Sequence, residues 1–106
     1  MSISYRRYEI LLPRRFNDDQ PIPPRWLTEA LIELRERFGA ASCETQTIRG
    51  EWEEEGETYR DELVRLFVDV EDTPTNREFF VQFRDRHKLK FRQLVIWLTS
   101  HPIEVL

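Results

Sequence analysis

Side chains able to bind metals or act as nucleophiles are few in this sequence. Among its 106 residues are one cysteine, Cys43, and two histidines, His87 and His101. They form no C-x-x-C or H-E-x-x-H spacing, so the sequence predicts neither a metal site nor another cofactor. Nucleophilic catalysis requires a nucleophile, a base and an orienting group together. One cysteine with two distant histidines is a thin basis for such a group. We instead predict that Cys43 is a small buried residue at a strand start, and that His87 is a helix-boundary residue with a local hydrogen bond.

Asp61 is the carboxylate best placed for chemistry. Its neighbour Glu62 must point to the opposite face of a strand, so the two acids cannot serve one site. A carboxylate beside aromatic rings can act as a general base or hold a ligand. The alternative is an ordinary strand acid that pairs with an arginine such as Arg65 or stays in solvent. The candidate ligand-binding residues are Trp52, Tyr59, Asp61 and Gln93.

Two runs of like charge stand out in the sequence. Acidic residues cluster around a predicted turn at Glu51, Glu53, Glu54, Glu55 and Glu57. Basic residues cluster near the end of the second predicted helix at Arg84, Arg86, Lys88, Lys90 and Arg92. We expect both to be solvated surfaces, and positive charge at a helix end also suits the helix dipole. The alternative is a basic patch for an acidic partner, such as the acidic turn of a second copy.

Length and composition limit the possible functions. Hydrophobic residues make up 40% and charged residues 34% of the chain, which suits one domain over residues 1–106 with a modest core. Its 20 acidic and 16 basic residues give a net charge of −4, which disfavours binding to nucleic acid or to an anionic membrane. A single cysteine cannot form an internal disulfide, and no stretch has signal-peptide or transmembrane length. We therefore expect a cytoplasmic protein.

The candidate residues must be positioned by a series of strands and helices. Alternating apolar residues predict a first strand from Tyr5 to Leu12, which Pro13 ends. Apolar residues at spacings of three and four predict a first helix from about Pro24 to Phe38. Gly39 follows the last apolar position of that helix and suits a left-handed cap.

The stretch from Cys43 to Val70 predicts two long strands joined by a tight acidic turn at 54–57. One register of this hairpin pairs two aromatic or apolar couples and two opposite-charge couples at once, and such pairs stabilise a ladder. The couples are Trp52 with Tyr59, Glu51 with Arg60, Arg49 with Glu62, and Ile48 with Leu63. The same register assigns to the core face Cys43, Thr45, Thr47, Val64, Leu66, Val68 and Val70.

A second helix and a fourth strand complete the predicted fold. Residues 75–78 fit a capping box that begins at Thr75, and the helical spacing continues to about Phe91. Residues Gln93–Thr99 then alternate as a strand, which His101-Pro102 breaks. The order β-α-β-β-α-β predicts an α+β, ferredoxin-like domain with an antiparallel sheet and both helices on one face.

The other face of the predicted sheet has no helix to cover it, yet it carries apolar residues. These candidate self-association residues are Leu11, Ile48, Leu63, Phe67 and Trp97. An exposed apolar patch of this size is unusual on a monomer. Our first hypothesis is a non-enzymatic module that forms a homodimer through this face. The second is a small enzyme or ligand-binding domain with a pocket at the four candidate ligand-binding residues.

RNA-recognition modules share this order of elements and place stacking aromatics on their third strand. The matching stretch here, Arg60–Phe67, lacks the glycines and the first aromatic of their pattern and adds two acids. The acidic net charge also opposes binding to phosphates, although Trp52 and Tyr59 have faces on which bases could stack. The sequence therefore disfavours nucleic acid as a partner.

The hairpin resembles one shared by a family of short, mostly bacterial proteins with no established activity. Their pattern runs F-G-G-x-T, then G-x-W, then G-x-x-Y-x-D-E, with a later glutamine before the last strand. The corresponding residues here are Phe38 to Ser42, Gly50 to Trp52, Gly56 to Glu62, and Gln93. Ala40 and Ser42 depart from the second glycine and the threonine of that pattern. The resemblance implies a ferredoxin-like fold and no catalytic residue, and it leaves open whether Gly50 and Gly56 serve backbone shape alone.

Overall fold

Five strands and two helices follow one another in the computed structural model, which describes residues 3–44 and 46–106. In chain order they are β1 (Tyr5–Pro13), α1 (Pro24–Phe38), β2 (Ser42–Cys43), β3 (Ile48–Glu54), β4 (Glu57–Glu71), α2 (Pro74–Lys90) and β5 (Leu98–Ile103). No helix in the described ranges is both long and apolar enough to cross a membrane.

The long strand β4 organises the sheet. All pairings are antiparallel, the strand order is β2-β4-β1-β5, and β3 also pairs with β4. The first half of β4 pairs with β3, and its second half pairs with β1 on the opposite side. Since β2 and β3 lie on the same edge of β4, they act as one interrupted strand. The arrangement confirms the predicted α+β, ferredoxin-like fold.

The predicted hairpin register is confirmed from the Ile48–Leu63 pair to the turn, whereas β2 pairs two residues out of that register, with Cys43 opposite Leu66. Trp52 lies opposite Tyr59, and the remaining couples fall where the charges and apolar residues predict. Only Glu55 and Gly56 remain in the turn, with φ of 51° and 80°. A two-residue turn with positive φ at both positions matches the right-handed twist of the flanking strands. Gly56 therefore serves backbone shape, because side chains disfavour this conformation.

The prediction of the core face is confirmed on β4, but it is wrong at the edge of the sheet. Val64, Leu66, Val68 and Val70 are buried, as predicted. Cys43 is exposed, which corrects its prediction as a buried residue, and Thr47 is exposed as well. For Cys43 the physical reason is that β2 is a two-residue strand at the sheet edge, where β4 is its one partner among the described residues. Thr45 lies outside the described residues.

Both helices occupy the predicted stretches. Helix α1 spans its predicted range and ends at Gly39, whose φ of 86° is left-handed. Helix α2 begins slightly earlier than its capping box predicts, because the Thr73 hydroxyl accepts the Asn76 backbone N–H at 3.2 Å. Proline suits the first helical position, since its missing N–H has no partner there. The cap is therefore Thr73 and not Thr75.

The last strand is displaced from its predicted position. We predicted Gln93–Thr99, whereas the strand spans Leu98–Ile103 and includes His101 and Pro102. A proline is tolerated there because β5 lies at the edge of the sheet, where β1 is its single partner among residues 3–44 and 46–106. Residues 91–97 instead form an irregular segment that leads from α2 to the sheet. One hydrogen bond, from Leu11 N to Trp97 O at 3.0 Å, ties the end of this segment to β1.

The core between helices and sheet is rich in aromatic rings. Tyr8 stacks on Phe80 with 4.2 Å between ring centroids, and Phe38 stacks on Phe80 at 5.2 Å. Six large side chains are fully buried, namely Leu12, Leu34, Leu66, Phe80, Phe83 and Phe91. These residues fix the helices to one face of the sheet and leave the opposite face, called the open face below, without helical cover.

His87 belongs to this aromatic core. It is 5% exposed, and its ring lies 4.1 Å from that of Phe83. Its Nδ1 lies 2.8 Å from the Phe83 carbonyl oxygen, which can only accept, so Nδ1 carries the proton. The prediction of a helical histidine with a local hydrogen bond is confirmed. Burial lowers the pKa of His87, because the charged ring would lose its hydration.

We expect the buried imidazole to make the fold less stable as the pH falls. In the unfolded chain His87 regains its ordinary pKa of 6.5, so below that value the unfolded state binds more protons than the folded one. Urea unfolding at about pH 7.5 and about pH 5.5 should show a lower free energy of unfolding at the acidic pH. The His87→Gln variant should lose most of this pH dependence, and the exposed His101→Gln control should keep it. Equal pH dependence in wild type and His87→Gln would contradict the prediction.

Candidate functional site

The middle of the open face is charged. Two arginines there make paired hydrogen bonds to acids on neighbouring strands. Arg7 donates to Asp69 at 2.7 and 3.0 Å, and Arg65 donates to Glu9 at 2.5 and 3.2 Å. These hydrogen bonds hold the pKa values of Asp69 and Glu9 below their usual range. We call these four residues the charged centre.

Phe67 lies beneath the charged centre. The guanidinium carbon of Arg65 is 4.2 Å from the centroid of its ring, and that of Arg7 is 4.8 Å away. Planar guanidinium groups stack favourably on aromatic faces. The ring is therefore covered by side chains of its own sheet, which separates Phe67 from the other candidate self-association residues. Arg65 pairs with Glu9 and Glu44, which corrects the alternative that it pairs with Asp61.

Apolar residues gather at one end of the open face, where the hairpin leaves the sheet. They border a half-open pocket of about 350 Å³, which we call the hairpin-foot pocket. Six of the predicted site residues line it, namely Leu11, Trp52, Asp61, Leu63, Gln93 and Trp97. The structure thus brings three candidate self-association residues and three candidate ligand-binding residues to one place. Ile48 and Phe67 do not line it.

Trp52 and Asp61 form the polar wall of the pocket. The indole Nε1–H of Trp52 donates to Asp61 Oδ2 at 2.7 Å. Their strands place them within reach because Asp61 lies opposite Gly50, two residues from Trp52 along β3. The bond fixes the orientation of the carboxylate while it leaves other acceptor positions of that group open.

Tyr59 supports this wall without lining the pocket. Its ring stacks on Trp52 with 4.3 Å between centroids and 16° between planes. Its hydroxyl donates to Glu57 at 3.2 Å, and this bond raises the pKa of Tyr59. Tyr59 instead borders a second cavity of about 460 Å³ between the hairpin and the loop after β1. The stack holds the Trp52 ring in place against the sheet.

Gln93 reaches the pocket from the irregular segment after α2. Its side chain is buried, and Nε2 donates to the Phe91 carbonyl at 2.9 Å. The chain turns sharply just before it, where Arg92 has a φ of 52°. The segment therefore places an amide at the pocket wall even though the strand predicted there does not form.

Sequence reasoning missed several lining residues, and Gly50 had a detectable signal. A glycine inside a strand often marks a site where a ligand or another chain approaches closely. Its φ lies outside the left-handed region, so the backbone conformation does not require glycine. A Cβ at this position would lie 3.1 Å from Leu63 Cδ1 and would narrow the pocket. The other missed lining residues are Pro13, Glu51 and Val95.

The basic end of α2 is partly neutralised within the chain. Arg86 donates to Glu33 on α1, and Lys90 lies 3.5 Å from Glu29 on the same helix. The Lys90 ammonium also lies 4.8 Å from the centroid of the Trp26 ring. These contacts join the two helices, and they favour the interpretation of this cluster as a solvated helix surface.

The hairpin-foot pocket has few ionisable side chains in its lining. Within residues 3–44 and 46–106, no three His, Cys, Asp or Glu side chains come close enough together to hold a metal ion. The lining of the hairpin-foot pocket has one fixed carboxylate, Asp61, and no Ser, Thr, Cys, Lys or His.

Comparison with known proteins shows the fold. No protein-family model matches the chain, and no curated protein sequence matches it. Among solved structures it is similar to a phage SAM lyase in complex with S-methyl-5'-thioadenosine, with 13% identity, a TM-score of 0.70 and coverage of 99% of this chain and 93% of that chain. It is also similar to CutA1 from Oryza sativa, with 9% identity, a TM-score of 0.66 and coverage of 98% and 84%. A B. subtilis GlnK–ATP complex matches with 13% identity, a TM-score of 0.53 and coverage of 97% and 84%.

We expect the Trp52–Asp61 hydrogen bond to stabilise the hairpin. Trp52→Phe keeps an aromatic ring against Tyr59 and removes the N–H donor, so the free energy of unfolding should fall by about 1 kcal/mol. Urea unfolding of Trp52→Phe, Asp61→Ala and the double variant would isolate the coupling between the two side chains. As a control, Tyr59→Phe removes a solvent-exposed hydrogen bond and should change stability little. Strict additivity of the two substitutions would contradict the prediction.

Proposed function

We propose that the protein is a non-enzymatic binding module that pairs with a second copy of itself through the open face of its sheet. The observation that carries this proposal is the exposure of Val95 and Trp97. They are 57% and 63% exposed and lie beside Leu11 and Leu63 at the hairpin-foot pocket. Burying such a patch against a second copy would remove apolar surface from water, which favours association.

The arrangement of the open face suits an interface between copies. Stable interfaces combine an apolar core, often with tryptophan, with a polar rim. Here the apolar end of the face would form the core, and the charged centre would form part of the rim. The acids and arginines of the charged centre already pair within one chain, so covering them would not bury an uncompensated charge. A two-fold arrangement would use the same surface on both copies.

We expect wild-type protein at micromolar concentration to sediment as a dimer, with twice the 12.9 kDa mass of the chain. Trp97→Glu should raise the dissociation constant of the dimer by more than about tenfold, because it removes an aromatic contact and adds a charge. Leu89→Glu is the matched control, since Leu89 is 80% exposed on α2, away from the open face. Its dissociation constant should equal that of the wild type. A wild-type chain that sediments as a monomer would overturn the proposal.

A small ligand-binding domain is the second candidate function. The observation that favours it is the hairpin-foot pocket, whose volume falls within the range of small-molecule sites. Two of the similar structures are described with bound adenosine compounds, S-methyl-5'-thioadenosine and ATP. Trp52, Asp61 and Gln93 would supply an aromatic face, a charge and an amide to such a ligand.

The charge and the cysteine content support proposals for the partner and the location. The net charge of −4 opposes a nucleic-acid partner. A chain with one exposed cysteine and no internal disulfide fits a reducing compartment, and we propose the cytoplasm.

A further inference from the structure

The charged residues that line the hairpin-foot pocket are both acids, and Arg60 lies outside the lining at its rim. Among the described residues that line it, two are acids, Glu51 and Asp61, and none is Lys, Arg or His. Glu51 is paired with Arg60 at 3.3 Å at the exposed rim of the hairpin. Asp61 has the Trp52 indole N–H as its partner, which leaves its negative charge without a basic neighbour at hydrogen-bond distance in the described residues.

We propose that the hairpin-foot pocket binds an organic cation whose positive group meets Asp61 and whose apolar body lies against Trp52 and Trp97. This inference rests on the second candidate function, the ligand-binding domain. It requires the pocket of one copy only, whose entrance a second copy seated on Trp97 would narrow.

The two indoles and the carboxylate favour such a ligand together. Aromatic faces attract cations through their quadrupole, and tryptophan does so most strongly. A charge-assisted hydrogen bond from an ammonium to Asp61 would be stronger than one between neutral groups. Leu11, Leu63 and Val95 add apolar surface for the body of the ligand. A ligand with both a positive group and a hydrophobic body matches all of these features.

An anionic ligand does not match the pocket. A phosphate or carboxylate group would face two acids without a basic side chain among the lining residues to offset them. The arginines of the charged centre are already engaged in paired bonds with Asp69 and Glu9. The nearby acidic turn at 53–57 adds further negative potential, which would draw a cation toward this end of the molecule.

Gly50 contributes to the shape of the hairpin-foot pocket beside Asp61. The residue lies opposite Asp61 in the hairpin. Neither its φ nor the turn requires glycine, and a Cβ there would press on Leu63 at 3.1 Å. The absence of a side chain at this position keeps the floor of the pocket accessible beside the carboxylate.

Three probes of similar size and different charge test the inference. Phenethylamine is a cation at neutral pH, phenethyl alcohol is its neutral analogue, and 3-phenylpropionate is an anion. Each would be titrated to millimolar concentration into the full chain while tryptophan fluorescence and the indole N–H resonances are followed. Phenethylamine should bind most tightly and should weaken as salt is added. The anion should not bind.

Two variants locate the binding. Asp61→Asn keeps an acceptor for the Trp52 N–H and removes the charge, so the affinity for phenethylamine should fall at least about tenfold. Gly50→Val fills the floor of the pocket and should abolish binding of the cation and of the neutral analogue. Glu36→Gln is the matched control, because Glu36 is an exposed acid on α1 and lies outside the pocket lining and the acidic turn, and its affinity should equal that of the wild type. If Gly50→Val does not fold, the affinities of Asp61→Asn and of its control show whether phenethylamine binds at Asp61.

The outcomes distinguish the organic-cation inference from the ligand-binding function on which it rests. Equal affinity for the cation and the neutral analogue, or unchanged affinity in Asp61→Asn, would overturn the organic cation and leave the pocket as a ligand site. If no probe changes the fluorescence or the indole resonances, both the cation and the ligand-binding domain are wrong. A response that Gly50→Val retains would place the binding elsewhere and overturn the inference.

Discussion

Strand β4 has to pair with β2 and β3 along one edge and with β1 along the other, and the rest of the structure depends on this constraint. Leu63 on β4 lies opposite Ile48 of β3 on one side and opposite Pro13 of β1 on the other. At this residue the sheet narrows to the two-stranded hairpin, which no other described strand flanks. The molecule is accordingly long in one direction, with principal extents of 50 × 29 × 24 Å. The hairpin-foot pocket forms at this narrowing, where β1 ends at Pro13 and the hairpin continues beyond it.

One part of the open face is charged, and another part is apolar. In the charged centre, paired arginines and acids satisfy one another and cover Phe67. At the foot of the hairpin, two tryptophans and aliphatic side chains remain accessible to a partner or a ligand. Both proposals for this protein therefore concern the same end of one face. A second copy that covered Trp97 would also narrow the entrance of the hairpin-foot pocket, so association and ligand binding would influence each other.

Much of the fold was predictable because its signals are local. Helix α1 is defined by its apolar spacing, and the hairpin by cross-strand pairs that agree in only one register. The last strand was not predictable in the same way. Residues 93–99 alternate like a strand, yet β5 begins at Leu98. The chain before it crosses from α2 to the sheet and buries Phe91 and Ile96 in the core, so it does not pair as a strand. The exposure of Cys43 follows from the length of β2, which no local pattern reveals.

The amino-acid sequence by itself determined the element order, the hairpin register and the residue types of the candidate site. Periodicity and turn chemistry are properties of neighbouring residues, so they can be read along the chain. Tertiary structure decided which of those residues meet. It placed Gln93 and Trp97 beside Trp52 and Asp61, moved Tyr59 behind the indole, and covered Phe67 with two guanidinium groups. These contacts join residues far apart in the chain, and they depend on where β5 and the irregular segment dock against the long strand.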